Sequence, residues 1–265
     1  RNSLYVTSAV GRPPVSQSSL IKLDADTLAY QNHAVPEIDP TAIDREGKPL
    51  EGARYAVYGV AVDDERGTVW VTNTRQNTVA VYDADTLKLI KQFDKDIVPH
   101  SRDVVIDAAR NRAYVSSARS NKIAVFDTST NTQLADITVG QDADDFSAMS
   151  LSLDEASGTL VTVSASSAKA AIIDVASGSA TEVPLPAGVA RASGVAYNPA
   201  TGRIYIASQG SGDLVVVEKD GTVVNQVVTA TGVKDAEGKD VSGSRPADYH
   251  VVGVRSVQDA AERHW

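Results

Sequence analysis

Residues 58–93 read YGVAVDDERGTVWVTNTRQNTVAVYDADTLKLIKQF, and residues 102–140 repeat the pattern as RDVVIDAARNRAYVSSARSNKIAVFDTSTNTQLADITVG. Two further copies follow at 149–185, MSLSLDEASGTLVTVSASSAKAAIIDVASGSATEVPL, and at 193–228, SGVAYNPATGRIYIASQGSGDLVVVEKDGTVVNQVV. Residues 2–31 enter the same pattern partway through. Trp70, Tyr114, Val161 and Tyr205 share one repeat position, with separations of 44, 47 and 44 residues. Asp83, Asp127, Asp174 and Glu218 share another, with the same three separations. Two independent landmarks with one period define a true internal repeat.

Each unit holds four short apolar runs with polar joints. The first is exemplified by Val60–Val62. A turn at Asp63–Gly67 leads to the second, Val69–Thr72; a turn containing Asn77 leads to the third, Val79–Tyr82; and Asp83–Thr86 leads to a more polar fourth, Lys88–Gln92. Runs of this length, rich in β-branched residues and jointed by Asp, Asn and Gly, are hairpin-linked strands. Nothing in the units has a helical period. Four antiparallel strands in about 44 residues is one propeller blade. The expected fold is therefore an all-β propeller of four-stranded antiparallel blades, about five in this chain.

Composition agrees with this reading. Hydrophobic residues make up 42 % and aromatic residues 5 %, so the core must be built largely of Val, Ile, Leu and Ala. The formal charge is −9, which opposes broad binding to nucleic-acid phosphates or anionic lipid. No apolar stretch is long enough for a membrane span. Absence of cysteine excludes disulfides, zinc–thiolate sites and thiol nucleophiles. The chain starts with Arg1, as expected of a processed or trimmed sequence.

The strands Tyr5-Val-Thr-Ser8, Trp70-Val-Thr-Asn73 and Tyr114-Val-Ser-Ser117, with the later tracts Val81-Tyr-Asp-Ala-Asp-Thr86 and Val125-Phe-Asp-Thr-Ser-Thr130, resemble the signature of the YVTN-repeat β-propellers. The whole chain is similar to the exported bacterial YncE-type proteins. It departs from the signature at Val161-Thr-Val-Ser164. The resemblance implies an exported setting (periplasm, cell envelope or extracellular), protein–protein interaction, and a ring of seven blades.

A single propeller domain over 1–265 is expected. It divides into a partial blade (1–31), a long loop (32–57), blades at 58–100, 101–148, 149–192 and 193–232, a second long loop (233–250) and a strand at 251–265. That last segment either closes the first blade or is truncated with the fragment of a larger ring. Trp265 and His264 fall where a further strand of the Tyr-Val-Thr type would begin, which favours the fragment.

Side chains just before each first strand are expected to stand at one mouth of the channel. They are His100, Arg102, Asp145, Arg191, Tyr249 and His250, mixed in charge and hydrogen-bonding capacity between monotonously apolar strands. Convergent polar groups on a concave face form the default binding site. The alternative is that each bonds only a neighbouring loop. Asp142, Asp144 and Asp145 are the weak metal candidates: a channel Ca²⁺ held by hard oxygens is one reading, a solvated acidic loop the other, and no resident cofactor is expected. The turn aspartates at 24, 83, 127 and 174 are expected to cap their own turns.

No catalytic constellation is present: there is no G-x-S-x-G elbow and no glycine-rich phosphate loop, and the four histidines lack metal-ligand spacing. The expected function is non-enzymatic binding of a protein partner or a small polar ligand. The alternatives are a metal-dependent lactonase-type hydrolase and, against the net charge, a nucleic-acid-binding propeller.

Overall fold

A computed structural model describes residues 2–11, 14–186, 188–189 and 191–228. The second long loop (233–250), the strand expected at 251–265, and with them Tyr249 and His250, lie outside the described residues. The chain divides into two compact units, residues 1–115 with 124–134 and residues 116–123 with 135–265.

The fold is an all-β propeller built from successive antiparallel sheets. The first sheet has three strands, β1 (Ser3–Val10), β2 (Gln17–Asp24) and β3 (Tyr30–Ala34). The second has four, β4 (Val57–Asp63), β5 (Thr68–Asn73), β6 (Thr78–Asp83) and β7 (Leu89–Gln92). In the third, β8 (Ser101–Asp107), β9 (Arg112–Ser117) and β10 (Lys122–Asp127) are followed by two short pieces, β11 (Thr132–Gln133) and β12 (Ile137–Thr138), which both pair with β10. The fourth consists of β13 (Ala148–Asp154), β14 (Thr159–Ser164), β15 (Lys169–Asp174) and β16 (Ser179–Pro184). The fifth consists of β17 (Ala192–Asn198), β18 (Arg203–Ser208), β19 (Asp213–Val217) and β20 (Val223–Val228). Among the described residues the only helical segment is the 3₁₀ turn Thr74–Gln76, and no helix is long and apolar enough to cross a membrane.

Trp70, Tyr114, Val161 and Tyr205 are each the third residue of a second strand, as the repeat requires. Alternation along β5 then sorts its side chains between two cores. Val69 and Val71 join Tyr5, Leu20 and Tyr82 against the first sheet, while Trp70 joins Val104, Val115 and Phe126 against the third-sheet strands of the same unit. All six residues of β5 are buried, because both faces of the sheet are covered. Trp70 packs on Phe93 and Phe126 at ring-centroid distances of 5.9 and 5.8 Å. In the second unit, Val161 and Val163 of β14 meet Ile204 and Ile206 of β18 in the same way.

Tyr205 departs from its equivalents. It is only half-buried, whereas Trp70 is 0 % and Tyr114 2 % exposed. The repeat register turns Tyr205 to the face of β18 opposite Ile204 and Ile206, away from the fourth sheet. That face meets no further sheet among the described residues.

The turn aspartates do what local chemistry asks of them. Asp24 Oδ1 accepts the N–H groups of Asp26 and Thr27 and the Thr27 hydroxyl, and Asp83 repeats this with Asp85 and Thr86. Asp127 accepts from Ser129 and Thr130, and Asp174 from Ala176 and Ser177. Glu218 breaks the series. Its turn is fastened instead by Asp220, which takes the Thr222 N–H at 2.9 Å, while Glu218 pairs with Arg203. The residue four places after each of these aspartates has positive φ: Leu28, Leu87, Asn131 and Gly178.

Candidate functional site

The signature strands carry a function within the fold that sets the geometry of the candidate site. The aromatic hydroxyl of Tyr5 donates to the Ala84 carbonyl of the next sheet at 2.6 Å, and Lys22 Nζ donates to the same oxygen at 3.0 Å. Two places further along the strand, a hydroxyl donates to the start of the next first strand. Thr7 reaches the Tyr58 carbonyl, Thr72 the Arg102 carbonyl at 2.8 Å, and Ser116 the Met149 carbonyl at 3.0 Å. In β14 and β18 this position is Val163 and Ala207, so the later sheets lack that hydroxyl.

The Tyr58 and Met149 carbonyls belong to irregular stretches, and β17 contains a similar one. Pairing of β4 with β5 slips between Val57 and Val60, of β13 with β14 between Ala148 and Leu151, and of β17 with β18 between Ala192 and Gly194. A bulge leaves one residue out of the ladder and re-aims its side chain. Gly59 sits in the first of these bulges. Its N–H, outside the β4–β5 pairing, donates to Thr72 Oγ1 at 2.8 Å. A Cβ on Gly59 would lie 2.3 Å from the Arg102 carbonyl oxygen, so this close approach of two first strands requires glycine.

Tyr58 and Arg102 therefore occupy the same place on consecutive first strands of the first unit. The Arg102 guanidinium carbon lies 3.9 Å from the centre of the Tyr58 ring, and Nη2 donates to the Tyr58 hydroxyl at 2.7 Å. Tyr58 is 41 % exposed and Arg102 half-buried. A cation stacked on an aromatic face and tied to its hydroxyl is held in one orientation. Tyr58 is not among the site residues that the sequence singles out. The available signal was its alignment with Arg102 in the repeat.

The other expected residues are placed as follows. His100 precedes β8, takes a left-handed φ of 52°, and gives its N–H to Asn77 Oδ1 at 2.8 Å. Arg191 holds the equivalent place before β17, with φ 50° and an exposed side chain, and its carbonyl accepts the Gln209 N–H at 3.1 Å. Asp145, in the second unit, accepts from Lys169 Nζ and from the Gln141 N–H at 3.0 Å. Lys169 also pairs with Glu182 at 2.8 Å. The Lys169 hydrogen bond holds the Asp145 carboxyl below the ordinary carboxylate range, and the two carboxylates raise Lys169. Asp142 Oδ1 accepts the N–H groups of Asp144 and Asp145, both at 2.9 Å. The acidic segment is thus bonded within itself and to Lys169, and among the described residues no group of three metal-ligating side chains forms. The first unit brings His100, Arg102 and Tyr58 onto β4, β8 and the turn before β8; the second holds Asp145 and Arg191.

The first long connection is folded rather than slack. Bridges between Ile38 and Arg54 and between Ile43 and Pro49 make it a narrow ribbon, turned at Asp44–Lys48. It is pinned to the first unit by the buried Asp39, whose carboxylate meets Lys95 Nζ at 2.9 Å. Burial raises the Asp39 pKa, but Lys95 and Thr41 outweigh it and the net shift is downward.

No family model matches the chain. No curated protein matches it either. Solved structures do. A chain in the crystal structure of a nidogen/laminin complex is 14 % identical, with a TM-score of 0.59 over 85 % of this chain and 75 % of that one. A functionally unknown protein from Desulfotomaculum acetoxidans is 15 % identical, with a TM-score of 0.63 over 85 % and 68 %. Dihydro-heme d1 dehydrogenase NirN is 13 % identical, with a TM-score of 0.59 over 85 % and 43 %. Neighbours as different as a nidogen/laminin complex and a dehydrogenase illustrate that fold does not carry function. At these identities the likeness, together with the repeated antiparallel sheets, shows one thing: the chain is a β-propeller.

Proposed function

We propose that this chain is a non-enzymatic binding propeller of the YVTN-repeat type, exported by a bacterium, which uses the starts of its first strands to hold a protein partner or a small polar ligand. The observation that carries this reading is the contrast between backbone and side chain at these positions. The carbonyls of residues 58, 102 and 149 are fixed by hydroxyls of the preceding second strands, whereas their side chains are as different as Tyr, Arg and Met. A fixed backbone that presents dissimilar side chains is how rigid scaffolds carry recognition. The resemblance of the Tyr-Val-Thr strands supports the family and the exported setting. The Asp145 carboxylate is engaged by Lys169, which also holds Glu182, so this cluster gives no support to a lactonase-type reading.

The test is selection of peptides from a displayed library on the folded protein, followed by calorimetry of one selected peptide. The Tyr58→Ala and Arg102→Ala variants should each weaken it by about tenfold or more, as expected of central aromatic and arginine contacts. Unchanged affinity in both variants would move the binding surface away from the first strands.

A further inference from the structure

Arg102 is anomalous among the described half-buried arginines of this acidic chain. Five other described arginines are half-buried, and each has an oxygen acceptor. Arg54 donates to the Pro36 carbonyl, and Arg66, Arg110, Arg112 and Arg203 pair with Asp63, Asp107, Asp127 and Glu218. Arg102 has only the Tyr58 hydroxyl, and its Nε is buried with no acceptor among the described residues. A guanidinium carries five donors, and leaving one partly desolvated without an anion is costly. At the other five described half-buried arginines that cost is met by a carboxylate or a carbonyl supplied from within.

We infer that Arg102, stacked on Tyr58, is a subsite for a carboxylate supplied by the ligand. This rests on the binding reading above and names the chemistry recognised there. The ring of Tyr58 holds the guanidinium plane, and the fixed carbonyls of Tyr58 and Arg102 hold the two strands, so the fork is oriented before the ligand arrives. The planar carboxylate matches that fork. A phosphate dianion is favoured by several cations or a nest of N–H groups, and among the described residues no second cation shares this stack. The carboxylate has two possible sources, a chain terminus or an Asp or Glu side chain.

The experiment is a titration of the folded protein followed by the Nε–Hε resonance of Arg102, whose burial slows its exchange with water. Three probes separate the sources: N-acetylglycine for a terminal carboxylate, N-acetylglutamic acid α-amide for a side-chain carboxylate, and inorganic phosphate. The neutral N-acetylglycinamide and sodium chloride at matched ionic strength serve as controls. Saturable displacement of the resonance is expected with at least one carboxylate probe and with neither control. Tyr58→Ala should weaken that binding by about tenfold, because the guanidinium loses its support. Displacement that is linear and equal to that of chloride, or saturation by phosphate alone, overturns the inference. The wild-type titration decides the matter even if a variant fails to fold. Should the carboxylates fail while a selected peptide still depends on Tyr58 and Arg102, the binding reading stands and only the carboxylate assignment falls.

Discussion

Thr72→Val isolates one of the hydroxyls that join the second sheet to the third. The substitution nearly preserves shape in a residue that is 0 % exposed, so packing changes little. What disappears is one oxygen with two partners, the Gly59 N–H and the Arg102 carbonyl, each at 2.8 Å. The Gly59 N–H is the more vulnerable of the two, because the bulge has already removed it from the β4–β5 ladder. An orphaned buried donor or acceptor costs about 1–3 kcal/mol. With two affected groups, and some return from the added methyl, the expected loss is about 2–4 kcal/mol. Thr72→Ser keeps the oxygen and removes one methyl, for a loss of about 1 kcal/mol. Urea denaturation followed by Trp70 emission, in a Trp265→Phe background, reads the first unit directly, since the indole lies in the core beside Thr72. A loss below about 0.5 kcal/mol for Thr72→Val, the range of surface substitutions, would refute the reasoning.

Two leucines with left-handed backbone should respond in opposite directions to glycine. Leu28 has φ 58° and is 61 % exposed, so Leu28→Gly should stabilise by about 0.5–1 kcal/mol in thermal melts. Leu87 has φ 56° but is 4 % exposed, and loss of its packing should make Leu87→Gly destabilising by about 1–2 kcal/mol. Asp127 is held down to about 2 from 3.8, first by the Ser129 hydroxyl and then by the Thr130 and Ser129 N–H groups. Its folded-state pKa is depressed, so its stabilising contribution is present above 3.8 and is lost as pH falls toward about 2. The melting temperatures of wild type and Asp127→Asn should therefore converge across that window, and a gap independent of pH would sink the assignment.

The blade architecture was legible because it depends on short-range chemistry repeated at a fixed period. The turn aspartates could be read from their own neighbours two and three residues on, and the third position of each second strand could be read from alternation. Tyr205 could not, since its burial depends on what covers the second face of the fifth described sheet and not on β18 itself. The candidate site was half legible. Arg102 stood out as a charge among apolar strands, but its partner Tyr58 lies 44 residues away. The link between them is a bulge whose existence depends on one N–H leaving the ladder. The sequence marks His100 and Arg191 by their side chains; what the structure adds is a shared left-handed backbone before the first strand.

The three hydroxyl bonds from second strands to the starts of the next first strands run one way along the chain. Thr7 fixes the start of β4, Thr72 the start of β8, and Ser116 the start of β13, and in each case the donor precedes the acceptor in sequence. On the ribosome the donor strand has been made before the strand it positions emerges. Each new first strand can take its register from a finished template, in order of synthesis. A denatured chain returned to native buffer has no such order, and all its apolar strands of similar sequence compete at once. Vectorial synthesis should therefore yield correctly registered blades more efficiently than refolding of the full-length chain.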